Sequence, residues 1–132
     1  MPDSTVIPVL TYPNLHEAVT WLTGILGFKE RWRIGDHRAQ LTCGNCTIAI
    51  TASASQQPTA LILRITDIDS HFTKSQSSQV RIISPPADHF YGERQYTIED
   101  VGGHYWTLSE TVKEMAPEDW GAITSSDNSC QS

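Results

Sequence analysis

The chain repeats itself, and the repeat constrains the fold more than any other feature. Leu15 and Ile68, each the first apolar residue after a helix-capping side chain, lie 53 residues apart. The turn pairs Gly44-Asn45 and Gly102-Gly103 lie 58 apart. The five-residue difference fits a longer loop around PPADH, residues 85–89. Self-similarity at such a period marks one supersecondary unit written twice. Each unit would leave a sheet face to cover, so the two halves are expected to pair.

The first unit reads β-α-β-β-β. Residues 6–11 are a β-branched run, ended by Tyr12-Pro13, since proline donates no hydrogen bond and pushes the preceding residue to extended geometry. Asn14, with Glu17 three residues on, starts a helix. Leu15, Ala18, Val19, Leu22, Ile25 and Leu26 then recur at helical spacing, and Gly27 stands where a left-handed cap belongs. Strands follow at 28–34, 38–42 and 46–51, separated by Gly35-Asp36 and Gly44-Asn45.

After a linker at 52–58, ASASQQP, the pattern restarts. A strand is predicted at 60–66, a weaker and more polar helix from Ile68 capped by Asp67, and a strand at 80–84. A loop at 85–89 leads into the closing hairpin. Its first strand, Glu93–Glu99, carries Arg94, Tyr96 and Ile98 on alternate positions. Gly102-Gly103 is predicted as a two-residue turn, and residues 104–109 as the last strand.

Composition bounds the rest. A chain of 132 residues, 39% hydrophobic and 18% charged, is expected to fold as one domain over residues 1–121, with modules at about 5–52 and 59–111. Residues 122–132, AITSSDNSCQS, read as a disordered tail. The net charge of −6 argues against nucleic-acid binding. No run of 18 apolar residues is present, so no membrane span is expected. The opening MPDSTVIP lacks the marks of a signal peptide, which makes the cytoplasm the expected compartment.

Two stretches, VIPVLTYPNLHEAVTWLTGILGF and YGERQYTIEDVGGHYWTLSE, make the chain resemble the vicinal oxygen chelate superfamily. Its members include glyoxalase I, extradiol dioxygenases, and fosfomycin- and bleomycin-resistance proteins. The second stretch is similar to the E-D-P-x-G-H-x-W closing hairpin of the bleomycin-resistance-like branch, with Val101 in place of the usual proline. The resemblance implies an α+β fold of two paired βαβββ modules, forming a curved sheet around a cleft, and often a homodimer. In the family's enzymes four ligands hold a divalent metal. Carried onto this chain, those positions are Ile7, Ala49, Ala60 and Thr107, with the same 53- and 58-residue offsets as the repeat. None is a histidine or carboxylate, so neither a metal nor another cofactor is expected.

The implied cleft face carries Thr11, Ala49, Thr51, Arg64, Tyr105 and Thr107. Arg64 is its strong charge, suited to a carboxylate or phosphate. Arg94, on the strand beside the last, is the second cationic candidate. His37 and His104 stand at hairpin ends, as candidates for a ligand contact at the rim; His16, His71 and His89 read as surface or loop residues. Cys43 and Cys46 flank a turn and read as two reduced thiols rather than half of a zinc site. Two functions survive. One is metal-free binding of a small organic molecule. The other is a lyase, isomerase or dioxygenase-type enzyme with an atypical site. A homodimer is expected in either case.

Overall fold

The computed structural model describes residues 6–55 and 57–121, so the tail expected from residue 122 onward, with Cys130, lies outside the described residues. The fold is α+β, with two βαβββ modules. In the first, β1 (Val9–Tyr12), α1 (Leu15–Ile25), β2 (Lys29–Ile34), β3 (Arg38–Cys43) and β4 (Cys46–Ala52) form a sheet of order β1-β4-β3-β2. In the second, β5 (Ala60–Arg64), α2 (Ile68–Ser77), β6 (Arg81–Asp88), β7 (Glu93–Glu99) and β8 (Tyr105–Thr111) form a sheet of order β5-β8-β7-β6. A 3-10 turn, Pro117–Trp120, follows. No helix among the described residues is long and apolar enough to cross a membrane.

The chain divides into two compact units. Among the described residues, one holds those from 6 to 60 together with Glu99–Tyr105; the other holds Leu61–Ile98 and those from 106 to 121.

In the first unit β1 runs parallel to β4, and β4, β3 and β2 are antiparallel neighbours. Strand alternation sends Leu10, Leu41, Ile48 and Ile50 to one face, where each is at most 1% exposed. The helix α1 covers that face with Leu15, Ala18, Val19 and Leu22. Burying each large aliphatic side chain stabilises by about 1.5–3 kcal/mol. The Asn14 side chain accepts the Glu17 N–H at 3.0 Å and so starts the helix. Gly27, at φ +77°, lets the Phe28 N–H turn back to the Leu22 carbonyl at 3.2 Å and stops it.

The turn between β7 and β8 belongs to this first unit, and it differs from the predicted two-residue form. Asp100, Val101, Gly102 and Gly103 make the turn, with the Gly103 N–H on the Asp100 carbonyl at 3.2 Å. Only Gly103 takes positive φ, +84°. Gly102 is needed for room instead: a Cβ there would lie 2.5 Å from the Tyr12 ring. The Tyr12 hydroxyl donates to Asp100 Oδ2 at 2.6 Å, while Asp100 Oδ1 accepts the Gly102 and His104 N–H groups at 2.9 Å. His104 is completely buried rather than standing at a rim. Its Nδ1 accepts the Thr59 N–H at 3.0 Å, which leaves Nε2 to carry the proton donated to the Thr11 carbonyl at 2.7 Å. The sequence reading missed this role because its partners lie 45 and 93 residues away.

The second unit is more polar. Asp67 caps α2 through the Ser70 N–H at 3.1 Å, and the Glu110 carboxylate accepts the Asp67 and Ile68 N–H groups at 2.9 and 3.1 Å. Of the α2 residues only Ile68 and Ser75 are fully buried. Tyr96 fills the space under the helix: its hydroxyl meets Ser75 Oγ at 2.9 Å and His71 Nδ1, and the Phe72 ring stands edge-on to it. Strand β6 runs on to Asp88 through Pro85 and Pro86, where a loop was predicted. As the sheet's edge it tolerates residues that donate no ladder hydrogen bond.

Candidate functional site

The helices cover one face of each sheet, and the expected site residues sort onto the opposite faces with one exception. On β1 and β4, Thr11 stands opposite Thr51, and Val9 opposite Ala49. On β3, Gln40 pairs with Ala49 and Arg38 with Thr51. Thr11, Ala49 and Thr51 therefore share the face turned away from Leu10, Ile48 and Ile50. Arg31 Nη1 donates to Gln40 Oε1 at 3.2 Å. Thr11 Oγ1 is sealed from solvent and has no hydrogen-bond partner among the described residues.

On the second sheet the open face is a chain of hydrogen bonds. The Thr97 and Thr107 hydroxyls lie 2.9 Å apart. The Tyr91 hydroxyl donates to Gln95 Oε1 at 2.8 Å, and Gln95 Nε2 donates to Ser109 Oγ at 3.0 Å. Ser109 in turn donates to Glu93 Oε1 at 2.8 Å, and Thr111 Oγ1 donates to Glu93 Oε2 at 2.6 Å. Arg64 Nη2 reaches the same carboxylate at 3.2 Å and also donates to Thr111. The Thr111 hydrogen bond, with help from Ser109 and Arg64, holds the Glu93 carboxyl below its ordinary range despite burial pressing the other way.

Beside this chain a hollow of about 220 Å³ opens between β6, β7 and β8. Ser84, Pro85, Ala87, His89, Gln95, Thr97 and Thr107 border it, and His89 lies flat against Tyr91 at 5.2 Å and 12°. Arg64 and Thr107 are thus gathered on one face. Tyr105 is two residues before Thr107 on β8, 39% exposed, with its N–H on the Thr59 carbonyl at 2.9 Å. Arg94 is the exception. It shares the helix-side face with Tyr96, donating to Asp88 at 2.6 Å and to Asp69 of α2 at 3.0 Å. Those bonds, Asp88 first, raise its pKa further and lower that of Asp88.

Sequence reasoning missed Glu93, Gln95 and Thr97. The signal was present: they occupy the alternate positions of β7 not taken by Arg94, Tyr96 and Ile98. What alternation could not supply was their pairing with Ser109, Thr111 and Thr107.

A divalent metal does not fit the residues present. Ile7, Ala49 and Ala60 offer hydrocarbon, and the Thr107 hydroxyl is already engaged by Thr97. Among the described residues no three His, Cys, Asp or Glu side chains converge as a metal site would require. Cys43 and Cys46 face each other across the β3–β4 turn as free thiols. Burial, and then the neighbouring Cys43, push the Cys46 thiol up, so it is not an activated thiolate.

Comparison with known proteins agrees with this architecture. The chain belongs to the glyoxalase/bleomycin resistance protein/dioxygenase superfamily, whose family model matches residues 5–108. An uncharacterized protein of Mycobacterium tuberculosis (strain ATCC 25618 / H37Rv) is 27% identical over 84 residues, covering 64% of this chain and 49% of that protein. The chain thus spans about half the length of the curated relatives it matches. Among solved structures, TioX from Micromonospora sp. ML1 superposes with a TM-score of 0.72 at 26% identity, covering 82% of this chain and 98% of TioX. The fosfomycin resistance protein FosX from Listeria monocytogenes gives 0.72 at 16% identity, covering 90% of this chain and 98% of FosX. A lactoylglutathione lyase from Agrobacterium tumefaciens gives 0.70 at 13% identity, covering 83% of this chain and 96% of that one. At such identities the last two speak for the fold alone.

Proposed function

We propose that this protein binds a small organic molecule without a metal centre, through the open face of its second sheet. The observation that carries this reading is the donor set. At Ile7, Ala49, Ala60 and Thr107, the positions to which the resemblance carries the family's metal ligands, this chain has three hydrocarbon side chains and one hydroxyl already hydrogen-bonded to Thr97. The open face of the second sheet supports it further. Its hydroxyls and amide are fixed by one another before any ligand arrives, which lowers the ordering cost of binding. The working form we propose is a cytoplasmic homodimer. The edge strands β2 and β6 each pair with a single strand among the described residues, and two-fold pairing is the commonest way to cover such an edge.

Elemental analysis and native mass spectrometry of protein purified from cells test the reading. The expected result is no stoichiometric nickel, zinc, iron or manganese, no turnover of methylglyoxal–thiol adducts or catechols after metal reconstitution, and a dimer mass. One metal per chain, with turnover that a chelator abolishes, would instead establish the enzymatic alternative.

A further inference from the structure

We infer that the hollow on the second sheet selects an uncharged ligand: a planar ring bearing an amide or hydroxyl, not the carboxylate or phosphate that Arg64 and Arg94 suggest from sequence. The inference rests on the small-molecule reading above and narrows its ligand class. Arg64 is joined to Glu93 at 3.2 Å and to Thr111, so that pair brings no net charge to the face. Arg94 points to the other face and is ion-paired to Asp88 and Asp69. An anion entering the hollow would therefore give up its hydration without gaining either guanidinium, which is costly.

Apart from the His89 ring, what the hollow offers is neutral. The linked Thr97 and Thr107 hydroxyls keep one proton between them for an outside acceptor, and Gln95 Nε2 keeps a second N–H beyond the one given to Ser109. Both hydroxyl oxygens can also accept. Pro85, Ala87 and the His89 ring supply apolar and flat borders. At about 220 Å³ the space is smaller than the usual range for drug-sized ligands, and suits one ring with one polar group.

Benzamide and benzoate test this directly, because they share size and shape and differ in charge. The assay is an NMR titration of the full chain, following the backbone amides of Ala87, Gln95, Thr97 and Thr107. Benzamide is expected to shift these four resonances saturably, and benzoate to bind at least about tenfold more weakly. Thr107→Val should weaken benzamide severalfold, and Thr107→Ser should restore it, which separates a lost hydroxyl from a misfolded sheet. Benzoate binding at the same residues as tightly as benzamide would overturn the charge selection and leave the binding reading standing. Silence from benzamide, benzoate and a fragment set of neutral and acidic members would overturn both.

Discussion

Under α1 the first sheet presents Leu10, Leu41, Ile48 and Ile50, all hydrocarbon and all dry. Under α2 the second sheet presents Tyr96, whose hydroxyl is shared with Ser75 and His71, and Arg94, tied to Asp69 and Asp88. The faces turned away from the helices differ in the same sense. The first has a sealed, unpartnered hydroxyl at Thr11; the second has a run of hydrogen bonds from Tyr91 to Arg64. The helix-side face of the first sheet is thus the more apolar and that of the second the more polar, although the first unit also holds the buried Tyr12–Asp100–His104 cluster and the second also buries Ile98, Trp106 and Leu108. Burial tolerates changes that keep volume. Polar pairing fails when a single partner is removed, and it fixes where hydroxyls and amides point. That makes the second unit the better platform for recognising a ligand's polar groups.

The comparison is tested most severely at two glycines. A Cβ at Gly92 would sit 2.1 Å from the Lys113 backbone carbonyl oxygen, and Gly92 takes φ +88°. That carbonyl is backbone and cannot rotate aside, and the Gly92 oxygen also accepts the Val112 and Lys113 N–H groups. Gly92→Ala is expected to cost at least about 4 kcal/mol in urea denaturation. At Gly102 the obstacle is the Tyr12 ring, which can yield by releasing its hydroxyl from Asp100. Gly102→Ala should cost about 2–3 kcal/mol. Equal losses would mean that the second unit is no more rigidly specified than the first.

The helices provide the next contrast. Leu22 is fully buried beneath α1, so Leu22→Ala should cost about 3 kcal/mol. Phe72 is half-buried and leans on Tyr96, and Phe72→Ala should cost about 1.5 kcal/mol. A larger loss at Phe72 would show that α2 too is held chiefly by apolar burial.

The legible part of the structure was whatever local chemistry dictates. Asn14 and Asp67 cap the helices as their spacing predicts, and the cross-strand turn at Gly44 falls where the glycine is. Alternation also placed Trp106 away from Thr107, and Trp106 is 1% exposed. The illegible part was pairing at long range. Nothing near Arg64 in the chain announces Glu93, 29 residues on, and nothing near Arg94 announces Asp69. From sequence each arginine reads equally as a ligand-binding cation or as half of a surface ion pair, because a sequence shows a charge without its counter-charge. The prolines at 85 and 86 read as a loop because their compatibility with a strand depends on that strand being an edge.

Glu93 ties the second unit's network to pH. Its carboxyl is held below the ordinary range, first by Thr111 and then by Ser109 and Arg64. A carboxyl depressed by folding contributes stability that is complete above its unfolded pKa, about 4.3, and is lost as pH falls through the folded value. Wild-type melting temperature should therefore fall as pH drops below about 5. Glu93→Gln should lower stability at pH 7 by about 1–2 kcal/mol and flatten this acid limb. The limb should not vanish, because Asp88 and Asp67 are depressed as well, by Arg94 and Ser70 respectively. An unchanged limb would remove Glu93 from the network's centre.

The smallest effect carries the sharpest contrast. Thr11 Oγ1 is sealed inside the first unit with no partner among the described residues, whereas Ser109 Oγ accepts from Gln95 and donates to Glu93. A buried hydroxyl without a hydrogen bond costs about 1–3 kcal/mol relative to water, and replacing it by a methyl of the same shape removes that cost. Valine keeps the β-branch that suits a strand, so Thr11→Val should leave stability unchanged or raise it by about 1 kcal/mol. Ser109→Ala removes a group that two neighbours depend on, and should lower stability by about 1–2 kcal/mol although it deletes only one oxygen. Both variants can be read in one urea series at pH 7. If Thr11→Val loses more than about 1 kcal/mol, its hydroxyl has a partner and the first sheet's face away from α1 is polar after all. If Ser109→Ala is neutral, the hydrogen bonds of the second face are adornment on a sheet held by burial, and the two units do not differ in kind.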